Sequence, residues 1–115
     1  MRATVRHGLM LVLMLISPIA MAQGVALTTL EKVREYRAIY VGHREFAMPF
    51  AYMVGDEPVG YSLDICARVV DAIKEVVDDP ALRVVMVPVT ASSRFLMLQS
   101  GMIDLECGST TNTRI

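Results

Sequence analysis

Apolar and polar residues alternate along the chain with periods that predict helices and strands in turn. The segment from Val25 to Arg37 mixes apolar and charged residues behind two threonines, which predicts a short amphipathic helix. The run Ala-Ile-Tyr-Val at 38–41 is apolar throughout and predicts a buried parallel strand. The stretch 45–59 is less regular, and its Gly-Asp-Glu-Pro turn predicts a hairpin or an extended excursion.

The most regular helical pattern lies between Ser62 and Val77. Ser62 is the predicted N-cap, and Asp-Asp-Pro at 78–80 ends the helix. The apolar residues recur three and four positions apart: Leu63, Cys66, Val69, Val70, Ile73, Val76 and Val77. Such a stripe predicts that the helix packs along one side.

Two further strands and a short helix complete the predicted order. The segments 82–89 and 102–105 are rich in β-prone residues and predict the second and third strands. Between them, Ser92 or Ser93 can cap a short helix that stops at Gly101. Right-handed crossovers would place the three strands parallel, with the first between the other two. The predicted fold class is therefore α/β.

Polar residues follow each predicted strand. Gly-His-Arg at 42–44 follows the first strand, 90–94 follows the second, and 108–114 follows the third. Ligands of open α/β sheets bind beyond the carboxyl ends of the strands. The last segment offers hydroxyl and amide donors with a nearby arginine, which suits an anion. A Ser/Thr-rich surface turn is the alternative interpretation.

The amino terminus has the pattern of an export signal. Arg2 and Arg6 precede an apolar run at 8–16, a Ser-Pro breaker and an Ala-Met-Ala sequence, which is the order of a secretory signal peptide. The run is shorter than the roughly 20 residues of a membrane span. We expect residues 1–22 to be removed, so that 23–115 form a mature domain of about 93 residues.

The net charge and the number of cysteines argue against a nucleic-acid-binding protein and against a cysteine scaffold. The formal net charge of the chain is −1, and it becomes about −3 after removal of the leader, so no basic face indicates nucleic acid. Export permits a disulfide, but two cysteines do not make a cysteine scaffold. Cys66 is interpreted as a small buried hydrophobic residue, and Met86, Met97 and Met102 are expected in the core.

Five short motifs resemble the amino-terminal part of periplasmic glutamate/aspartate-binding proteins, which are solute-binding proteins of family 3. These motifs are Gly-His-Arg-Glu at 42–45, Pro-Phe at 49–50, Gly-Tyr-Ser-x-Asp at 60–64, Arg94 with Leu-Gln-x-Gly at 98–101, and Asp-x-Glu-Cys-Gly-Ser-Thr-Thr-Asn at 104–112. The last string is the most specific. The resemblance implies the first lobe of a type II periplasmic binding protein, with a parallel sheet core and flanking helices, in a chain that lacks the second lobe.

The same resemblance implies a function and a set of site residues. Family members capture glutamate or aspartate in the periplasm for the membrane permease of an ABC importer. Arg44 and Arg94 match residues that face the side-chain carboxylate of the ligand, and a guanidinium can bind a carboxylate through two parallel hydrogen bonds. Ser109 and Thr111 match residues that hold the ligand's amino and carboxylate groups. Ala91 stands where relatives carry a serine, so this position does not supply that hydroxyl contact.

Cys107 and His43 receive structural interpretations. In relatives the cysteine that matches Cys107 can pair with one in the missing half, so an unpaired thiol is one interpretation, a bridge to Cys66 is not assumed, and the sequence leaves the pairing open. His43 has no serine, cysteine or carboxylate partner at a recognisable spacing, and it is interpreted as a satisfied structural histidine.

Other functional classes stay open at the level of sequence. An enzyme on the same lobe would need a carboxylate acid or base, for which Glu45 and Glu106 are candidates. A sensor domain would need a following transmembrane helix, and a truncated product would have no function. Arg44 could instead pair with either glutamate, and Arg94 could be solvated. The adopted expectation is a monomeric binding protein, not an enzyme, without cofactor or metal.

Overall fold

The computed structural model describes residues 26–113, so the predicted signal peptide and its cleavage site lie outside the described residues. Within this range the elements are α1 (Thr29–Tyr36), β1 (Ala38–His43), β2 (Phe46–Ala47), β3 (Ala51–Val54), β4 (Glu57–Val59), α2 (Tyr61–Val77), β5 (Arg83–Pro88), α3 (Arg94–Gln99) and β6 (Leu105–Cys107). None of these helices combines the length and the apolar character needed to cross a membrane.

Three parallel strands form the main sheet, in the order β5-β1-β6. The predicted α/β class, the parallel direction and the central position of the first strand are therefore confirmed. The stretch 45–59 contains a separate antiparallel sheet of β2, β3 and β4, which confirms the predicted hairpin. Gly60 ends this excursion with a φ of 135°, and a Cβ at this position would overlap the Phe50 carbonyl. A glycine is therefore required where the chain turns into α2.

The third strand begins at Leu105, three residues later than predicted. The residues before it are tied to the sheet by Asp104, whose backbone amide donates to the Tyr40 carbonyl at 2.8 Å. The Asp104 carboxylate also accepts the Tyr40 backbone amide at 2.9 Å and the Lys32 ammonium at 2.8 Å. Ile103 is buried, and its Cδ1 lies 2.5 Å from the point where a Cβ on Gly42 would stand. Ile103 and Asp104, which were predicted as part of the strand, thus hold the chain against the sheet just before β6 begins.

The main core lies between the sheet and helices α1 and α2. Its buried members are Val33, Ile39, Val41, Cys66, Val70, Leu82 and Cys107. The predicted α2 stripe is too wide, since Val69 and Val76 are 39% and 57% exposed on the flanks of the helix. The core positions predicted for Met86 and Met102 are also wrong, because both side chains are exposed at the margin of a sheet of only three strands.

Candidate ligand-binding edge of the sheet

The carboxyl ends of the three parallel strands meet at one edge of the main sheet. His43 at the end of β1 is level with Pro88 of β5 and with Cys107 of β6. The Val89 amide donates to the His43 carbonyl at 2.9 Å, which keeps the chain after β5 beside the end of β1. We call the residues that follow these strands, 44, 89–94 and 108–113, the carboxyl edge. The predicted convergence of three polar loops on one edge is confirmed.

Arg44 leaves β1 at this edge and is half-buried. Its Cγ lies 2.8 Å from the point where a Cβ on Gly108 would stand, so its aliphatic stem packs on the glycine backbone. Within residues 26–113 no carboxylate oxygen lies within 4.0 Å of the Arg44 guanidinium nitrogens. The alternative surface pairing of Arg44 with Glu45 or Glu106 is therefore not formed.

Arg94 is the first residue of α3 and is also half-buried. Its guanidinium carbon lies 4.9 Å from the centroid of the Phe95 ring. Its Nε and Nη1 are buried and have no hydrogen-bond partner among residues 26–113. Buried polar atoms without partners are rare in folded proteins. The unused donors of Arg94 can therefore bind an anionic group.

Ser109 and Thr111 lie in irregular chain after β6, and both are exposed. Their side chains make no hydrogen bond to another residue in the described range, so their hydroxyls are available to a ligand. The structure thus brings all four predicted site residues to the carboxyl edge. It does not enclose them, because none of the four lines the cavity of about 480 Å³ beside β6, which is lined by Gly108 and Thr110 of the edge and by residues outside it such as Phe95.

Sequence reasoning missed the contacts that anchor the loop after β6. The N-cap of α2 is Gly60, not Ser62 as predicted. The Ser62 hydroxyl donates instead to the Gly108 carbonyl at 2.8 Å. The Thr110 hydroxyl donates to Glu106 Oε2 at 2.8 Å. Both partners belong to motifs singled out above, but the contact between the motifs depends on how α2 packs against β6.

The two cysteines form a disulfide, so the interpretation of Cys107 as an unpaired thiol is wrong. Cys66 occupies the buried stripe of α2, and Cys107 ends β6, which that helix contacts. Packing therefore brings their Cα atoms to 6.3 Å, although 41 positions separate them in sequence. The bridge joins the main helix to the start of the last loop at the carboxyl edge.

His43 is buried at the end of β1, with 4% of its surface exposed. Its Nδ1 has no hydrogen-bond partner among residues 26–113. The prediction of a structural histidine agrees with its burial, but the prediction that its polar atoms are satisfied is wrong for Nδ1.

The sequence matches the bacterial extracellular solute-binding proteins, family 3, over residues 39–114. The chain belongs to this family. This solute-binding protein is 43% identical over 86 residues to the glutamate/aspartate import solute-binding protein of Escherichia coli (strain K12). It is 42% identical over 86 residues to the L-glutamate/L-aspartate-binding protein of Pseudomonas aeruginosa. The alignments cover 74% and 73% of this chain, but the chain spans only 28% of the length of each relative.

Solved structures share the fold. An ancestral cyclohexadienyl dehydratase aligns with a TM-score of 0.62 and 23% identity, over 77% of this chain and 34% of that protein. The arginine-bound form of domain 1 from TmArgBP aligns with a TM-score of 0.61 and 16% identity, over 74% of this chain and 61% of that domain. This solute-binding protein therefore contains part of a type II periplasmic binding protein fold, as predicted. Its relatives of high identity are binding proteins, although a dehydratase ancestor shares the fold.

Proposed function

We propose that this solute-binding protein supplies the first lobe of a binding protein for glutamate or aspartate. Arg94 carries the proposal, because its buried guanidinium donors have no partner among the described residues. Arg44 adds a second positive charge at the same edge, and within residues 26–113 its guanidinium forms no salt bridge. An acidic amino acid carries one more carboxylate than a neutral one, and that group can use the donors of Arg94. The printed names of the E. coli and P. aeruginosa relatives agree with this ligand class.

Within this proposal the four site residues bind different chemical groups of the ligand. Arg44 and Arg94 bind the side-chain carboxylate, since a guanidinium presents several donors in a planar fork. Ser109 and Thr111 bind the amino and carboxylate groups of the ligand's backbone through their exposed hydroxyls. The site uses neither a metal nor a cofactor.

The proposed setting is the periplasm. Residues 1–22 direct export and are removed, and 23–115 form the first lobe of the binding domain of a monomeric protein. Periplasmic binding proteins close around their ligand by a hinge motion, so a second lobe covers the carboxyl edge before the ligand passes to the permease of an ABC importer. We infer a binding protein rather than an enzyme, because Glu45 is exposed and Glu106 is occupied by Thr110.

The test uses a chimera in which this chain is completed with the second lobe of the E. coli relative. Arg44→Ala should weaken glutamate binding by roughly 2 to 5 kcal/mol, because the ligand carboxylate loses its partner inside a closed site. Glutamine has no side-chain carboxylate, so its binding should change far less. Calorimetric titration of both ligands measures the difference.

The matched control for this experiment is Arg68→Ala, which removes an exposed arginine from α2. It should leave both affinities unchanged. Equal and small losses for glutamate and glutamine in Arg44→Ala would show that Arg44 is a surface residue without a role in charge recognition.

A further inference from the structure

The backbone of Gly108 is confined by two side chains of the carboxyl edge. A Cβ at this position would overlap Glu106 Oε1 and would lie 2.8 Å from Arg44 Cγ. Real Cβ atoms essentially never approach other heavy atoms closer than 3.0 Å. Glu106 and the stem of Arg44 therefore both lie close to the same point of the loop, and a side chain there would have to displace them.

The Glu106 carboxylate also holds the loop further along. Its Oε2 accepts the Thr110 hydroxyl at 2.8 Å, while its Oε1 is buried and has no hydrogen-bond partner among residues 26–113. The Ser62 hydroxyl holds the Gly108 carbonyl at 2.8 Å. Ser109 thus lies between two anchored residues, and Thr111 follows the second of them directly.

The charge of Glu106 does not suit direct contact with the carboxylate groups of an acidic ligand. A carboxylate beside the bound carboxylates would repel them, and like charges at short distance cost energy in a partly buried site. The contacts of Glu106 with Thr110 and Gly108 instead give it a structural use within the loop. A preorganised loop binds more tightly, since less side-chain and backbone freedom is lost when the ligand arrives.

We propose that Glu106 is a positioning residue of the ligand site: through Thr110 and against Gly108 it holds the loop that carries Ser109 and Thr111. The part of this proposal that concerns affinity rests on the proposed function. The part that concerns loop order does not require a ligand.

Loop order is tested in the full chain purified from the periplasm, by NMR order parameters of the Ser109 and Thr110 amides, because neither amide donates a hydrogen bond among residues 26–113 that hydrogen exchange could report. Thr110→Val removes the hydroxyl donor with little change in shape, and the order parameters should fall from about 0.85, the value of a rigid backbone, to below about 0.6. Glu106→Ala should have the same effect, and the double variant should exceed neither single variant. Glu106→Gln retains an acceptor and should preserve most of the order.

Thr113→Val is the matched control, because Thr113 is an exposed threonine of the same tail and its side chain makes no hydrogen bond to another described residue. Its order parameters and melting temperature should equal those of the unmodified chain. Unchanged order parameters in Thr110→Val, or additive effects in the double variant, would overturn the assignment of Glu106. If Glu106→Ala fails to fold, Thr110→Val still decides the question.

Glutamate titration of the chimera then separates positioning from recognition. Thr110→Val should lower the affinity for glutamate about tenfold without changing the melting temperature, whereas Thr113→Val should not change the affinity. A more mobile loop with unchanged affinity would overturn the role of Glu106 in binding and leave the proposed function intact. Absence of binding by the unmodified chimera would overturn the proposed function, while the order parameters would still decide loop order.

Discussion

Reduction of the Cys66–Cys107 disulfide should remove a large part of the stability of this domain. The bridge joins residues 41 positions apart and restricts the unfolded chain accordingly. For a loop of this length, the chain-entropy relation gives a stabilisation of about 4 kcal/mol at 25 °C. Whole domains have unfolding free energies of roughly 5 to 15 kcal/mol, and small domains lie near the lower end. The reduced chain is therefore expected to be close to unfolded at 37 °C.

Urea denaturation followed by far-UV circular dichroism measures this effect, since the chain contains no tryptophan for fluorescence. The oxidised and reduced forms have the same side chains, so their difference in unfolding free energy isolates the cross-link. A Cys66→Ala, Cys107→Ala double variant is the control and should not respond to reductant. Oxidised and reduced chains that agree within about 1 kcal/mol would refute the reasoning, because the loop term alone exceeds that value.

Two further predictions concern export of the chain and ligand binding by the chain without a second lobe. Mass spectrometry of the periplasmic fraction should find Gln23 at the amino terminus, because the basic, apolar and small-residue segments are those of a cleaved leader; a retained Met1 in the membrane fraction would contradict export. Calorimetry of the chain 23–115 should detect no micromolar binding of glutamate or aspartate, since exposed ion pairs contribute only about 0 to 1 kcal/mol each. Micromolar binding would show that one lobe suffices.

Most of the fold could be predicted because its signals are local or follow from chain geometry. The spacing of apolar residues in α2 and the β-prone runs of β1 and β5 are properties of short segments. The order β5-β1-β6 then follows from the handedness of crossovers, which is a general property of twisted parallel sheets. The late start of β6 could not be predicted, because it depends on Asp104 bonding to Tyr40 and Lys32.

The place of the candidate site was predictable, and the surroundings of its residues were not. Parallel strands end at one edge, so Arg44, Arg94, Ser109 and Thr111 had to leave the sheet near one another once the topology was known. Whether Arg44 has a carboxylate partner, or whether Arg94 keeps unused donors, depends on side chains from other elements. The distances between these side chains cannot be predicted from any single motif.

Residue types and their spacing already contain the α/β class, the parallel strand order and the donor-rich loops, because propensity and periodicity act over a few residues. Tertiary packing decides which distant groups touch. It joins Cys66 to Cys107, turns Ser62 from a predicted cap into a donor to Gly108, and places Glu106 against the loop. These contacts require α2 to lie on β6 in one register, and that register is set by the whole core rather than by either segment.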